Sequence, residues 1–106
     1  MRQDELVCAL RSFVDDREWT QFHSLENLAK SIAIEAGELL ECFQWSDSAK
    51  RERVVEELAD VLTYCILLAD RLGVEADTIV LEKLEITKTK YPVELAKGKS
   101  DRYDEL

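Results

Sequence analysis

Residues that break helices are scarce in this sequence. Its 106 residues include three glycines and one proline, so long helices can run without interruption. Apolar residues recur at spacings of three and four, the period of an amphipathic helix, and no stretch alternates convincingly with a period of two. A chain of this length is one domain's worth. We therefore predict an all-α fold of four helices in a single domain, residues 1–106.

Histidine and cysteine are also scarce, which limits the metal chemistry to be expected. The chain has one histidine, His23, and three cysteines, Cys8, Cys42 and Cys65. None of the cysteines forms a CxxC motif or a Cys/His zinc spacing, so we interpret them as reduced packing residues of a cytoplasmic protein. A di-iron bundle requires a Glu-x-x-His motif on each of two helices. One histidine cannot supply that pattern.

Basic residues are outnumbered by acidic ones. Fourteen Lys and Arg residues face twenty-three Asp and Glu residues, which gives a net charge of -9. Such a charge would repel a nucleic-acid backbone or an anionic membrane surface. The sequence also has no apolar run of about twenty residues that would span a bilayer and no leader pattern. We expect a soluble cytoplasmic protein that binds neither nucleic acid nor membrane.

The first three helices are predicted from apolar periodicity and capping residues. The first covers about residues 4–16, and the second follows an N-cap at Ser24 and ends near Trp45. The third is capped by Asp47 or Ser48 and stops at Gly73, and it should pair with the second as an antiparallel hairpin. The apolar face of the first helix comprises Leu6, Leu10, Phe13 and Val14.

The fourth helix should run over about residues 77–91. Asp77 is a candidate N-cap, and Pro92 prevents the helix from continuing. The polar tail, residues 93–106, is expected to be mobile unless something docks it. A chain this short whose second helix is apolar over most of its circumference should also associate with itself.

Two pairs of acids lie beside the apolar stripes of the second and third helices. Glu35 and Glu38 are three residues apart, as are Glu57 and Asp60. At 1.5 Å per residue the two pairs reach the same height once the hairpin folds back. Four carboxylates that converge would bind a hard cation, with Mg²⁺ first and Mn²⁺ second. The alternative is that they are ordinary solvated acids of a highly charged chain.

The stretches "EAGELLECFQW" and "EELADVLTY" resemble the ExxE and ExxD signature of the MazG-like all-α nucleotide pyrophosphohydrolases. The segments "REWTQFHSLENL" and "KYPVELAKGKSDRY" extend the resemblance to the dCTP pyrophosphatase branch of that family. The resemblance implies a four-helix MazG-like unit that assembles into a dimer or a dimer of dimers. It also implies Mg²⁺-dependent cleavage of a nucleoside triphosphate to the monophosphate and pyrophosphate.

The same resemblance assigns roles to individual residues. It implies that the metal-binding acids are Glu35, Glu38, Glu57 and Asp60. Which acid orients the attacking water stays open, with Glu38 as the candidate. The nucleoside pocket is expected to contain Trp19, His23, Trp45 and Tyr64. Aromatic faces stack on bases, and a histidine hydrogen-bonds a base edge or a sugar hydroxyl. Both tryptophans could instead be core residues.

Lysine and arginine concentrate in the last quarter of the chain, where the KYPV segment lies. A charge run of this kind is usually a solvated face, but the resemblance makes Lys83, Lys90 and Arg102 candidates for phosphate binding, together with Tyr91 of the KYPV segment. The family often has an asparagine where this chain has Thr87. A hydroxyl offers one donor where an amide offers two, so the contact at this position is expected to differ.

Two functions from different classes follow. The first is an Mg²⁺-dependent enzyme that prefers dCTP or 5-substituted dCTP over purine triphosphates. In that enzyme Trp45, at the end of the helix with Glu35 and Glu38, should help stack the base, so that Trp45→Ala raises KM far more than it lowers kcat. The second is a non-catalytic all-α oligomeric interaction module that has lost the activity.

Overall fold

The computed structural model describes residues 3–46 and 48–106, and the side chain of Gln3 is outside the description. Within these residues every regular element is helical. The longer helices are α1 (Gln3–Asp16), α2 (Leu25–Glu41), α3 (Arg51–Arg71) and α4 (Ala76–Lys90), followed by a short α5 (Val93–Ala96). Short 3₁₀ helices cover Thr20–Phe22 and Tyr103–Glu105. The all-α prediction is confirmed.

The chain forms two compact units, one up to Ala76 and the other Asp77–Leu106. In the first unit α1 and α2 both pack on α3. Val14, Leu28 and Ala69 are its buried hydrophobic residues within the described part of the chain. None of the described helices has an apolar stretch that would span a lipid bilayer.

A tight turn ends α1 and sets the direction of the following segment. The N–H of Glu18 donates to the carbonyl of Asp15 (3.0 Å), and the N–H of Trp19 donates to that of Val14 (3.0 Å). This is the Schellman pattern, in which the residue after the helix takes a left-handed backbone. Glu18 takes it with φ +54°. The turn therefore places Trp19 directly beside the last turn of α1.

The predicted start of α2 is confirmed, whereas its predicted end is wrong. Ser24 is the N-cap, and its Oγ accepts from the N–H of Asn27 at 3.1 Å. The helix ends at Glu41, four residues before Trp45. The N–H groups of residues 42–44 bond carbonyls three residues back, which tightens the chain into turns and stops the α-helical pattern.

Ser48 was one of two predicted N-caps of α3, and it does not cap that helix. The N-cap is Lys50, which makes no side-chain capping bond, and the helix begins at Arg51. Ser48 lies too far ahead of the helix to cap it, and its N–H donates to Oγ of Ser46 (3.0 Å). The other candidate, Asp47, lies outside the described residues.

The predicted stop of α3 at Gly73 is confirmed. Gly73 has φ +73°, and its N–H donates to the carbonyl of Asp70 while that of Val74 reaches Ala69, both at 3.0 Å. This is the same pattern that ends α1, here with the residue that adopts it without steric cost.

Gly73→Ala is expected to lower the free energy of unfolding by about 1 kcal/mol, because a Cβ disfavours the left-handed backbone. The added Cβ would meet no atom within 4 Å, so the cost comes from the backbone alone. Gly37→Ala, within α2, is the control. Its Cβ also meets nothing within 4 Å, and alanine should stabilise the helix by roughly 0.5–1 kcal/mol. Urea unfolding measures both variants.

Equal stability of Gly73→Ala and the parent chain would contradict this account of the stop. A loss of stability in Gly37→Ala would indicate that another chain lies against this face of α2, because within the chain the site is open.

The second unit contains α4 and the tail. The helix begins at Ala76, so Asp77 lies in its first turn and the prediction of Asp77 as N-cap is wrong. Its Oδ1 accepts from the N–H of the adjacent Thr78 (2.8 Å). The helix ends at Lys90, one residue earlier than predicted and ahead of Pro92.

The tail is more ordered than its polar composition predicts. It contains the two short helices already given, and the ring of Tyr103 lies edge-on to that of Tyr91 with centroids 6.1 Å apart. Nζ of Lys90 lies 4.8 Å from the centroid of the same Tyr103 ring. These contacts dock the tail on the end of α4, which is the condition under which order was expected.

Candidate active site

Acidic side chains of α2 and α3 converge in the first unit. Glu35 of α2 and Glu57 and Asp60 of α3 each place a carboxylate oxygen within 4.8 Å of the other two. The residue spacing predicted that these acids of α2 and α3 would lie at the same height in the hairpin. We call these three residues, together with Glu38, the acid cluster.

The fourth predicted acid, Glu38, is not one of the three that converge within 4.8 Å, but it interacts with Glu35 and Glu57. The pKa of Glu38 is raised mainly by a side-chain hydrogen bond to Glu35 and by the negative charge of Glu35. Burial, followed by the charges of Glu38 and Asp60, raises the pKa of Glu57. Like charges held close together disfavour ionisation. The cluster is therefore electrostatically unfavourable unless it binds a cation or protons.

Two oxygens of the acid cluster are buried without a hydrogen-bond partner, Oε2 of Glu35 and Oε2 of Glu57. An unpaired buried acceptor costs about 1–3 kcal/mol, and more when it is charged, so such atoms call for an explanation. A hard divalent cation takes oxygen ligands only. The residues therefore fit a Mg²⁺ site, and the alternative of a solvated acidic face does not account for these two oxygens.

A cavity of about 350 Å³ lies between α1 and α3. Its wall includes the predicted nucleoside-pocket residues Trp19, His23 and Tyr64, and also Asp60 of the acid cluster. The remaining lining residues are Leu10, Phe13, Val14, Thr63 and Leu67. Because Asp60 belongs to both features, the cavity borders the acid cluster. A small planar group bound in the cavity would lie next to any phosphate held at the acids.

An aromatic contact positions Trp19 in the cavity wall. Its ring meets the ring of Phe13 edge-on, with centroids 5.6 Å apart. The guanidinium of Arg17 lies 3.9 Å from the Phe13 centroid, and its Nη1 donates to the Phe13 carbonyl at 3.0 Å. Edge-to-face and cation–π contacts of this kind restrict the rings they join. Trp19 is therefore held in place while 43% of it stays exposed.

Side-chain hydrogen bonds also brace the segment between α1 and α2. Thr20 Oγ1 donates to Oδ1 of Asp15 at 2.8 Å, and Nδ2 of Asn27 donates to the carbonyl of Phe22 at 2.9 Å. His23 follows Phe22 and is half-buried in the cavity wall. The segment is short and has partners at both ends, so His23 and Trp19 approach the cavity together.

Trp45 is not brought to the cavity. It follows the turns after α2, is 89% exposed, and is not one of the lining residues. The prediction that it ends the helix with Glu35 and Glu38 placed it near the acids, but that helix stops at Glu41.

The phosphate-binding candidates lie in the second unit. Lys90 and Tyr91 both contact Tyr103, and Nε of Arg102 lies 3.2 Å from Oδ1 of Asp104. Three of the five predicted residues thus lie around the docked tail. The other two are Lys83 and Thr87, and the Thr87 hydroxyl donates to the Lys83 carbonyl at 3.1 Å. Its single donor is therefore used within α4.

Sequence patterns did not single out Phe13, Thr63 and Leu67 as site residues. Phe13 was predicted on the apolar face of α1, and that face is where the cavity lies. Thr63 and Leu67 flank Tyr64, and all three line the cavity. Periodicity identified the faces that meet, but it cannot distinguish a filled interface from one that leaves a cavity.

Comparisons with known proteins agree with the resemblance. Residues 30–106 match the model of the MazG-like family. The human dCTP pyrophosphatase 1 is 40% identical over 104 residues, which covers 89% of this chain and 61% of that protein. The Bos taurus dCTP pyrophosphatase 1 is 38% identical, with 89% and 62% covered. This chain thus spans about three fifths of the length of the curated relatives it matches.

A solved structure shares the fold as well as the sequence. The crystal structure of a pyrophosphatase from Archaeoglobus fulgidus is 41% identical, with a TM-score of 0.79 over 84% of this chain and 91% of that one. The similarity therefore covers nearly the whole of that protein. This chain belongs to the MazG-like family.

Proposed function

We propose that this protein is a nucleoside triphosphate pyrophosphohydrolase that cleaves dCTP, or 5-substituted dCTP, to the monophosphate and pyrophosphate. The observation that carries the proposal is the acid cluster beside an aromatic-lined cavity, with Asp60 common to both. The names of the relatives, dCTP pyrophosphatase 1 and pyrophosphatase, support it.

The acid cluster is proposed to hold Mg²⁺, for which Mn²⁺ can substitute. A divalent cation bound there would neutralise charge on the phosphates and lower the pKa of a bound water. The unpaired oxygens of Glu35 and Glu57 supply ligand positions inside the cluster. Exposed Asp60, which also lines the cavity, would supply another. Glu38 interacts with Glu35 and Glu57 within the cluster, and we assign it the orientation of the attacking water.

The cavity is proposed to bind the base. Trp19 and Tyr64 offer ring faces, each with a stacking contribution of about 1–3 kcal/mol, and His23 offers a ring nitrogen for a hydrogen bond. At about 350 Å³ the cavity lies near the lower end of the roughly 300–1,000 Å³ typical of ligand pockets. The cavity is therefore large enough to hold a nucleobase.

Basic residues of α4 and the tail are proposed to bind phosphate. On the family resemblance we assign this role to Lys83, Lys90 and Arg102, with Thr87 and Tyr91 beside them in sequence. All three basic side chains belong to exposed residues. A cation offsets the charge of a triphosphate more strongly the closer it lies to the phosphates.

The protein is further proposed to act as a cytoplasmic homodimer or homotetramer. Large apolar residues such as Ile34 (63% exposed), Leu40 (71%) and Val80 (63%) lie at the surface. Exposed large apolar side chains of this kind would be buried at an interface between copies. Cys8, Cys42 and Cys65 are free thiols, as expected in a reducing compartment.

Pyrophosphate release from a panel of triphosphates tests the function. The panel contains dCTP, 5-methyl-dCTP, dTTP, dATP and dGTP, each with Mg²⁺ and with a chelator. We expect turnover only with the metal and the highest kcat/KM for the two cytosine substrates. Equal kcat/KM for dATP and dCTP would overturn the cytosine assignment. No turnover of any substrate would favour a non-catalytic interaction module.

A further inference from the structure

A bidentate ion pair joins α1 to α3. Nε of Arg11 donates to Oδ2 of Asp70 at 2.9 Å, and Nη2 of Arg11 donates to Oδ1 of the same carboxylate. The planar guanidinium thus meets the carboxylate with two parallel hydrogen bonds, which fix both distance and orientation. The Asp70 side chain is 21% exposed and that of Arg11 57%. The two residues are 59 positions apart in sequence.

The pair lies next to the cavity. Arg11 follows the lining residue Leu10 on α1, and Asp70 lies one helical turn beyond the lining residue Leu67 on α3. Where the cavity separates the helices, side chains have no partner atoms on one side, so packing there constrains the helix separation weakly. A directional contact at the edge of the cavity can therefore determine that separation.

We propose that the Arg11–Asp70 pair sets the width of the cavity between α1 and α3, and that the two residues thereby act as positioning residues that discriminate bases by size. This inference rests on the proposed function in one respect, that a base occupies the cavity. With the pair broken, α1 is free to move away from α3 and admit a larger ring system.

The expected signature differs from that of a purely stabilising contact. The guanidinium meets a largely buried carboxylate in bidentate geometry, so breaking the pair should lower the melting temperature whether the contact positions α1 or only stabilises the fold. The ratio of purine to pyrimidine affinity depends instead on the position of α1, because Leu10, Phe13 and Val14 all move with that helix. Selectivity is therefore the property that a positioning role changes.

The test measures binding of dCMP and dAMP by isothermal titration calorimetry, well below the melting temperature. The variants are Arg11→Gln, Asp70→Asn and the double exchange Arg11→Asp with Asp70→Arg. We expect each single variant to lower the ratio of dCMP to dAMP affinity by about fivefold or more, a coupling in the range seen between contacting residues. The double exchange should restore the ratio to within about twofold of the parent value.

The control is Lys30→Gln, which breaks the exposed pair of Lys30 with Glu26 within α2 (2.9 Å) and should leave the ratio unchanged. An unchanged ratio in both single variants, or an equal loss of affinity for the two nucleotides, would overturn the inference. So would a parent protein that binds neither nucleotide. A parent protein that prefers dCMP but hydrolyses no triphosphate would contradict the proposed enzyme, while loss of that preference in the single variants would still support the role of the pair.

Discussion

Glu57→Gln is expected to lower kcat/KM for dCTP by at least about a hundredfold, because changes even to residues that only support metal ligands cost about 10–100-fold. The negative charges of Glu38 and Asp60 both act on the carboxylate of Glu57. Its Oε2 is one of the two buried acceptors without a partner. An amide keeps the shape and removes the charge that a cation requires.

The same substitution should remove the response of stability to Mg²⁺. A ligand that binds only the folded chain at about a hundredfold excess over its dissociation constant stabilises it by about 2.7 kcal/mol. For a chain of this size that raises the melting temperature by about 10 °C. Differential scanning fluorimetry with Mg²⁺ and with chelator measures the rise, which should be lost in Glu57→Gln.

In chelator at pH 7 the Glu57→Gln variant should be at least as stable as the parent chain. The pKa of Glu57 is raised on folding, so the folded chain binds its proton more tightly than the unfolded chain. The free energy of unfolding therefore falls as pH rises from the ordinary glutamate range through the raised pKa. Glutamine removes this loss, and its advantage should disappear below that range.

The matched control is Glu56→Gln, the same change on the adjacent residue of α3. Glu56 is exposed and is not one of the converging acids, so kcat/KM and the Mg²⁺ response should stay within about twofold of the parent values, as is usual for surface substitutions. If Glu57→Gln retained full activity and the full rise in melting temperature, Glu57 would not belong to the metal site.

Trp19→Ala is expected to raise KM for dCTP by about tenfold or more with kcat little changed, since stacking on a base contributes about 1–3 kcal/mol. A contact with the base stabilises ground state and transition state alike, so its loss appears in KM. Trp19 lines the cavity and is oriented by the ring of Phe13. Steady-state kinetics of pyrophosphate release give both constants.

Two further aromatic residues are controls for Trp19. Phe22 lies three residues on, is 60% exposed and does not line the cavity, so Phe22→Ala should leave KM within about twofold of the parent value. The sequence predicted a rise in KM for Trp45→Ala, but Trp45 lies outside the cavity of its own chain. An increase equal to that of Trp19→Ala would mean that Trp45 reaches a base from another copy. An unaltered KM in Trp19→Ala would show that the base does not bind in the cavity.

Local interactions explain why much of the fold could be predicted from the sequence. The Ser24 cap and the Gly73 stop depend on side chains or backbone preferences within a few residues, and both were found where expected. Where a local signal had competitors the prediction was wrong. Ser48 and Asp77 are good capping residues in general, but one lies ahead of the helix and the other within its first turn.

The acid cluster could be predicted only in part from the sequence. The spacing of Glu35, Glu57 and Asp60, together with the fixed rise of a helix, was enough to predict that they meet once the hairpin folds. The burial of two of their oxygens was not predictable, because it depends on what else packs over them. That burial is the observation that favours the proposed cation site over a solvated acidic face.

The helical class, the limits set by Ser24 and Gly73, and the pairing of acids on α2 and α3 follow from local sequence, because helix periodicity and capping act over a few residues. The folded chain was needed to show that α1 and α3 leave a cavity bordered by Asp60, that Trp19 lines it while Trp45 does not, and that Arg11 meets Asp70. Each of these depends on contacts between residues far apart in the chain, whose geometry no local pattern specifies.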